Sequence, residues 1–315
     1  MNYWLFLYFW QILIVLIYMK RRTLIYRSIL FVGGCTTGIN PINSSSKKSA
    51  KPVPEKLKFA VVDATGIEEL QQNYGAFRTA LEEVLSIPIE FFPVHNRTGA
   101  APALQSGEVD IIFAGPSEYV ILNSRAKAIP VVAIQRNQYY PIIVVRAYSK
   151  IKSLIDLKGK TIAMRSIGST SGHLAPTKML IDAGLDPNTD VKIVMLGNAG
   201  VKALKKGEVE AWTIASDRYK TILKSENFSE KDFSIIAKGS LLPSDLFVVS
   251  NQMNYDFIQN MRSRMIENQE KLIQSLLVSQ VNQPYKGSKF IPANDADYNM
   301  IREVYQKIGQ GNFLS

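Results

Sequence analysis

The chain has one cysteine, Cys35, and two histidines, His95 and His173, among 315 residues. A lone cysteine excludes an internal disulfide and a cysteine-built metal site. The two histidines belong to no Cys/His or Ser/His/acid arrangement. A triad using His173 and Ser171 would need one turn to aim two nearby side chains at a single point. No catalytic residue, cofactor or metal is therefore expected. Charged residues make up only 20% of the chain, and the basic ones are dispersed, with no basic helix or aromatic-spaced basic run. Nucleic-acid binding is not expected, although the net charge is +10. Residues 1–34 hold Lys20, Arg21, Arg22 and Arg27 and no acid, so the remainder is only mildly basic. That excess suits an anionic ligand or a membrane surface. The length allows two domains of ordinary size, and 46% apolar residues can fill their cores.

Long apolar runs are confined to the N-terminus. Residues 3–19 are apolar except for Gln11. From Met19 a basic stretch, a short apolar run and Val32-Gly33-Gly34-Cys35 follow the grammar of a signal peptide ending in a lipobox, in which the cysteine becomes lipidated and N-terminal. The expectation is a signal segment over 1–35 with Cys35 as the lipid anchor, then a Ser/Lys/Pro-rich tether over 36–56. An uncleaved anchor is the alternative, since the first apolar run is near the lower limit for spanning a bilayer.

From Leu57 strands alternate with helices, the pattern of βαβ units. Strands are expected at 58–62, 87–94, 109–113, 131–134, 141–145, 161–164, 191–196 and 246–249. Helices are expected at 67–85, 100–105, 255–277 and 296–308. Gln105-Ser106-Gly107-Glu108-Val109-Asp110 recurs in form as Lys205-Lys206-Gly207-Glu208-Val209-Glu210, a weak duplication that predicts two lobes of similar construction. The centre of the pattern is Arg165-Ser166-Ile167-Gly168-Ser169-Thr170-Ser171-Gly172-His173-Leu174-Ala175-Pro176, a hydroxyl-rich turn between the strand at 161–164 and a helix ending at Ala183-Gly184. Such a turn offers backbone N–H groups and hydroxyls to an anion; the plain alternative is a helix cap. His173 reads as a polar surface residue. In α/β sheets ligands sit beyond the carboxyl ends of strands, which points to the loops around Thr65, Arg97 and Ser117–Tyr119.

The runs Tyr140 to Pro176 and Gly107 to Val120 together resemble the phosphonate/phosphite-type periplasmic binding proteins of ABC importers. The likeness extends from about Leu57 to Ser250. It implies a two-lobed α/β periplasmic binding protein fold of class II type. Each lobe would be a mostly parallel sheet flanked by helices, with two crossover strands at the hinge. Lobe I would take 57–143 plus 247–315, and lobe II 144–246. The implied function is capture of a phosphorus oxyanion (phosphonate, phosphite or phosphate) and delivery to an importer permease. The implied ligand residues are Ser169, Thr170 and Ser171, with Tyr139 before the first crossing strand and the acids Asp217 and Asp245. As bare carboxylates, these acids would accept a proton-bearing ligand oxygen or pair with a ligand ammonium. Tyr119, Arg97 and Asn198 complete the expected site, the last two where some members carry Tyr and His. An anchored anion-sensing domain, or an enzyme acting on such an anion, are the competing readings.

Overall fold

The structure is a computed structural model describing residues 54–64, 66–94 and 99–314. The chain begins with β1 (Leu57–Val61), α1 (Ile67–Leu85), β2 (Ile89–Phe91), α2 (Ala100–Ser106), β3 (Ile111–Ala114), α3 (Pro116–Ala126) and β4 (Ile129–Gln135). It then crosses to β5 (Pro141–Arg146), β6 (Thr161–Met164), α4 (Ala175–Asp182), β7 (Lys192–Met195), α5 (Gly200–Lys206), β8 (Ala211–Ala215), α6 (Ser216–Ser225) and β9 (Phe233–Lys238). It returns through β10 (Asp245–Val249), α7 (Tyr255–Glu267), α8 (Gln269–Leu276), β11 (Lys289–Pro292) and α9 (Asn299–Lys307).

These elements form two sheets. The first has the order β11-β4-β10-β3-β1-β2 and the second β7-β6-β8-β5-β9. Both are mixed rather than mostly parallel. In each, the strand arriving from the other half of the chain runs antiparallel to its neighbours: β10 against β3 and β4, and β5 against β8 and β9. The expected lobe boundaries at 143/144 and 246/247 fall inside β5 and β10, which lie whole in their sheets; the chain passes between sheets at residues 136–140 and 239–244. Pro141 can open β5 because a first strand residue need not donate to the ladder.

Each core follows from its pattern. In α1, Leu70, Tyr74, Phe77, Leu81, Val84 and Leu85 form the buried stripe, and Glu68 and Glu69 suit its first turn. Strands β3, β8 and β10 are buried along their whole length, as expected of strands covered on both faces. Phe113 stacks on Phe247 with ring centroids 4.5 Å apart, and Phe59 and Phe77 pack beside them. The expected helix over 255–277 is two helices, broken at Asn268, whose amide nitrogen turns back to donate to the Arg264 carbonyl. Strands β9 and β11 and helix α6 have no counterpart in the sequence reading. Both strands lie at sheet edges and are partly exposed, so neither carries a long apolar run.

The duplicated segments occupy equivalent places. Gly107 and Gly207 both end a short helix in the left-handed region, at φ +79° and +83°, where a side chain would be strained. The Asp110 carboxylate accepts the Lys58 N–H of β1 at 2.8 Å, and the Glu210 carboxylate accepts the Thr161 N–H of β6 at 2.9 Å.

Candidate functional site

The carboxyl ends of β1, β3 and β4 and the amino end of β10 lie along one edge of the first sheet, as the strand directions require. The equivalent edge of the second sheet gathers the ends of β6 and β8 and the start of β5. Side chains from both edges line one cleft: Asp63 after β1, Glu118 at the start of α3, Asp245 opening β10, Arg165 and Ser169–Ser171 after β6, and Arg218 in α6. Arg136 and Tyr139, from the first passage between the sheets, complete it. Its volume is about 30 Å3, the scale of a water or two rather than of a tetrahedral anion. A larger groove, about 560 Å3, runs between α4 and the 307–310 segment, but no such set of charges converges on it.

The hydroxyl-rich turn is folded as a π-helical turn, Thr170–Leu174, running into α4. Leu174 N–H reaches back to the Ser169 carbonyl and Ala175 N–H to that of Thr170, both five residues away. Pro176 has no N–H to continue this wide ladder. Single π turns recur at functional sites. Gly172 is required by close packing: a Cβ there would lie 2.5 Å from Arg165 Cβ. Its carbonyl accepts from Arg165 N–H and from the Thr213 hydroxyl, which ties the turn to β6 and β8. Ser169, Thr170 and Ser171 are each buried. Thr170 crosses between the lobes: its hydroxyl donates to Ser117 Oγ at 2.8 Å and accepts the Ser117 N–H at 3.1 Å. Ser117 Oγ donates in turn to Glu118.

Arg136, absent from the sequence reading, is the electrostatic centre. Its Nε donates to Asp217 Oδ2 at 2.8 Å and its Nη1 to Asp245 Oδ2 at 2.9 Å, with the side chain 3% exposed. The guanidinium carbon lies 3.6 Å from the Tyr139 ring centroid, a close cation–π contact. The Tyr285 hydroxyl donates to the same Asp245 oxygen at 2.6 Å. Burial alone would lower the Arg136 pKa; Asp245, Tyr139 and Asp217 outweigh it and raise it. Burial raises Asp217, against the pull of Arg136. Burial, reinforced by Asp245, pushes the Tyr139 phenol up to about 12, so it stays protonated. Nη2 is also 2.5 Å from Asp217 Oδ2 but is not aligned for a hydrogen bond with it. Among the described residues, Arg136 Nη2 and Asp217 Oδ1 are buried without a hydrogen-bond partner.

Of the expected residues, Ser169, Thr170, Ser171, Tyr139 and Asp245 line the cleft, and Asp217 reaches it through Arg136. The two acids are not bare carboxylates; they are engaged by Arg136. Tyr119 lies elsewhere, with its hydroxyl donating to Asp295 and its ring against Tyr298. Asn198 is exposed on the turn Gly197–Ala199 and is not among the lining residues. Arg97 and Cys35 lie outside the described residues. His173 is corrected from a surface residue to a buried one: it is 7% exposed, and its Nδ1 accepts the Gly168 N–H. One signal for Arg136 existed, a charged residue directly after the apolar strand β4, where ligands are met. Tyr285 had none.

The model of the family described as ABC transporter, phosphonate, periplasmic substrate-binding protein matches residues 59–298. The chain belongs to that family. It is accordingly a substrate-binding component of an ABC importer rather than a sensor domain, and the family implies an extracytoplasmic location. The phosphate-import protein PhnD of Mycolicibacterium smegmatis is 23% identical over 92% of this chain and 98% of its own. PhnD1 of Prochlorococcus marinus, solved with methylphosphonate, matches with a TM-score of 0.67 at 18% identity over 81% of this chain and 99% of its own. The Xanthomonas citri protein XAC2383, solved with ATP, also gives 0.67 at 18% identity, covering 82% and 98%. At that identity the two structures speak for the two-lobed fold alone. Among the described residues no helix is long and apolar enough to cross a membrane.

Proposed function

We propose that this importer component captures a small phosphorus oxyanion (phosphate, phosphite or a small phosphonate) between its lobes and hands it to a permease. The carrying observation is the convergence of Ser169, Thr170 and Ser171 with Arg136, Arg165 and Arg218 on one buried cleft. Hydroxyl and guanidinium donors are the groups that bind tetrahedral oxyanions. The names of its relatives, a phosphate-import protein and a phosphite-binding protein, agree with that chemistry. Because the cleft holds only about 30 Å3, entry requires the lobes to part. The connections at 136–140 and 239–244 are the natural hinge. Tyr139, Asp217 and Asp245 act as the rear wall of the site, and Arg97 is proposed from the sequence as a further ligand residue. No catalytic group is assigned.

The reading is tested by calorimetry of the chain lacking residues 1–35 against phosphate, phosphite, methylphosphonate and sulfate. Saturable one-to-one binding of at least one phosphorus anion is expected; binding of none overturns it. We further propose that Cys35 is the lipidated N-terminus. Intact mass of membrane-extracted protein should then give a diacylglyceryl-modified chain beginning at Cys35. A product that retains residues 1–34, or is cut elsewhere, overturns the anchor.

A further inference from the structure

Asp217 and Asp245, which stand with Asp63 and Glu118 at this anion cleft, need a counter-cation. A binding protein can draw it from the ligand, as an ammonium group, or from its own chain. Here the chain supplies it. Arg136 stands one residue past β4 and bridges Asp217 at the start of α6 in one lobe to Asp245 at the start of β10 in the other, at 2.8 and 2.9 Å. Its guanidinium is pinned on the Tyr139 ring at 3.6 Å, and Tyr285 holds the shared Asp245 oxygen at 2.6 Å. The position is therefore fixed from four directions and is almost fully out of water. A ligand ammonium approaching either acid would meet a buried like charge. Arg136 Nη2 and Asp217 Oδ1 have no hydrogen-bond partner, although Nη2 also lies 2.5 Å from Asp217 Oδ2.

We propose that Arg136 is the specificity-determining residue of this cleft, a built-in cation that fills the place of a ligand amine and restricts the protein to phosphorus oxyanions without an amino group. The proposal rests on the functional reading above.

The matched pair ethylphosphonate and 2-aminoethylphosphonate isolates the amino group at near-constant size, with phosphite as reference. Calorimetry on wild type should give tight phosphite binding and a preference for ethylphosphonate over its amino analogue of about tenfold to a hundredfold, the range of one charge-assisted interaction. Wild type that binds phosphite but neither member of the pair overturns the predicted preference. Arg136→Ala should weaken phosphite by a similar factor and shift the pair's ratio toward 2-aminoethylphosphonate by at least about tenfold. Arg136→Lys, which keeps a cation, should retain the wild-type preference. Arg136→Ala leaves two buried carboxylates unpaired, so Arg136→Ala with Asp217→Asn is the second variant. It keeps only Asp245 for the ligand amine and should give the same reversal. Wild type that favours 2-aminoethylphosphonate, or a ratio unchanged in both alanine variants while phosphite still binds wild type, overturns this proposal alone. Failure of every phosphorus anion to bind wild type overturns the functional reading, and this proposal with it.

Discussion

Strands β2-β1-β3-β10-β4 of the first lobe and β7-β6-β8-β5-β9 of the second follow the same order and the same pattern of parallel and antiparallel neighbours. Their cleft edges carry opposite chemistry. The first lobe presents Asp63, Glu118 and Asp245; the second presents Arg165, Arg218 and three consecutive hydroxyls. The shared part is what burial and backbone hydrogen bonding dictate, down to the carboxylate that accepts a strand N–H from β1 in one sheet and from β6 in the other. The differing part lies in loops and in the first residues of the elements beside them, which a sheet edge holds in place without dictating their side chains. One face is thus the acidic complement of the other, and Arg136, standing between them, is bonded to one acid from each lobe.

The largest effect should come from breaking that complement on the acidic side. Asp245→Ala removes a partner from a buried ion pair and leaves Arg136 undercompensated, at a cost of about 3–5 kcal/mol. Urea unfolding should show it as a lowered midpoint at unchanged slope. A loss below about 1 kcal/mol would mean that Asp217 alone holds Arg136.

On the hydroxyl side the loss should fall on affinity instead. Thr170→Val keeps the shape of the π turn but removes the oxygen that meets Ser117 and, in the proposed complex, the ligand. Hydrogen bonds to a charged group contribute about 1.5–3 kcal/mol, or roughly tenfold to over a hundredfold in affinity. Stability should change by about 1 kcal/mol, the net value of an ordinary neutral hydrogen bond. Unchanged phosphite binding with lowered stability would reduce the turn to a helix start.

The shared scaffold makes a smaller, symmetric prediction. Asp110→Ala and Glu210→Ala each free one strand N–H, of Lys58 and of Thr161. Losses of about 1–2 kcal/mol are expected, alike within about 0.5 kcal/mol, by urea unfolding of the two variants side by side. Unequal losses would show that the repeat is geometric but not energetic.

These contrasts match what was legible in the sequence. The apolar periodicities of α1, β3, β6 and β10 and the Gly107/Gly207 repeat announce themselves, because burial and left-handed turns constrain residue type. The turn at 168–176 is legible for the same reason, since Gly172 admits no side chain beside Arg165. Arg136 had only its place directly after β4 to mark it, and Tyr285 had no signal at all. Their partners lie 40 to 109 residues away in the chain, and no local spacing encodes such a meeting. Tyr119 and Asn198 drew attention through loop position and the family resemblance. Tyr119 sits one residue past Glu118, and helical rotation turns it into the core against Tyr298.

The smallest effect distinguishes the two cleft loops by pH. Of the loops that follow the equivalent strands β1 and β6, the one after β6 carries His173 in its turn, where the imidazole accepts the Gly168 N–H through Nδ1 and is buried. Burial lowers the His173 pKa below its usual 6.5. Accepting that hydrogen bond also requires Nδ1 to be unprotonated. As pH falls through 6.5, the unfolded chain takes up a proton that the folded chain does not. Stability from this group is then complete above 6.5 and is lost as pH falls toward the folded value. His173→Gln offers a neutral acceptor that does not titrate. Urea midpoints at about pH 7.5 and pH 5, on ligand-free protein, should fall further for wild type than for His173→Gln, by the equivalent of about 1 kcal/mol or less. Equal falls would place the acid sensitivity on the carboxylates of both lobes rather than on this turn.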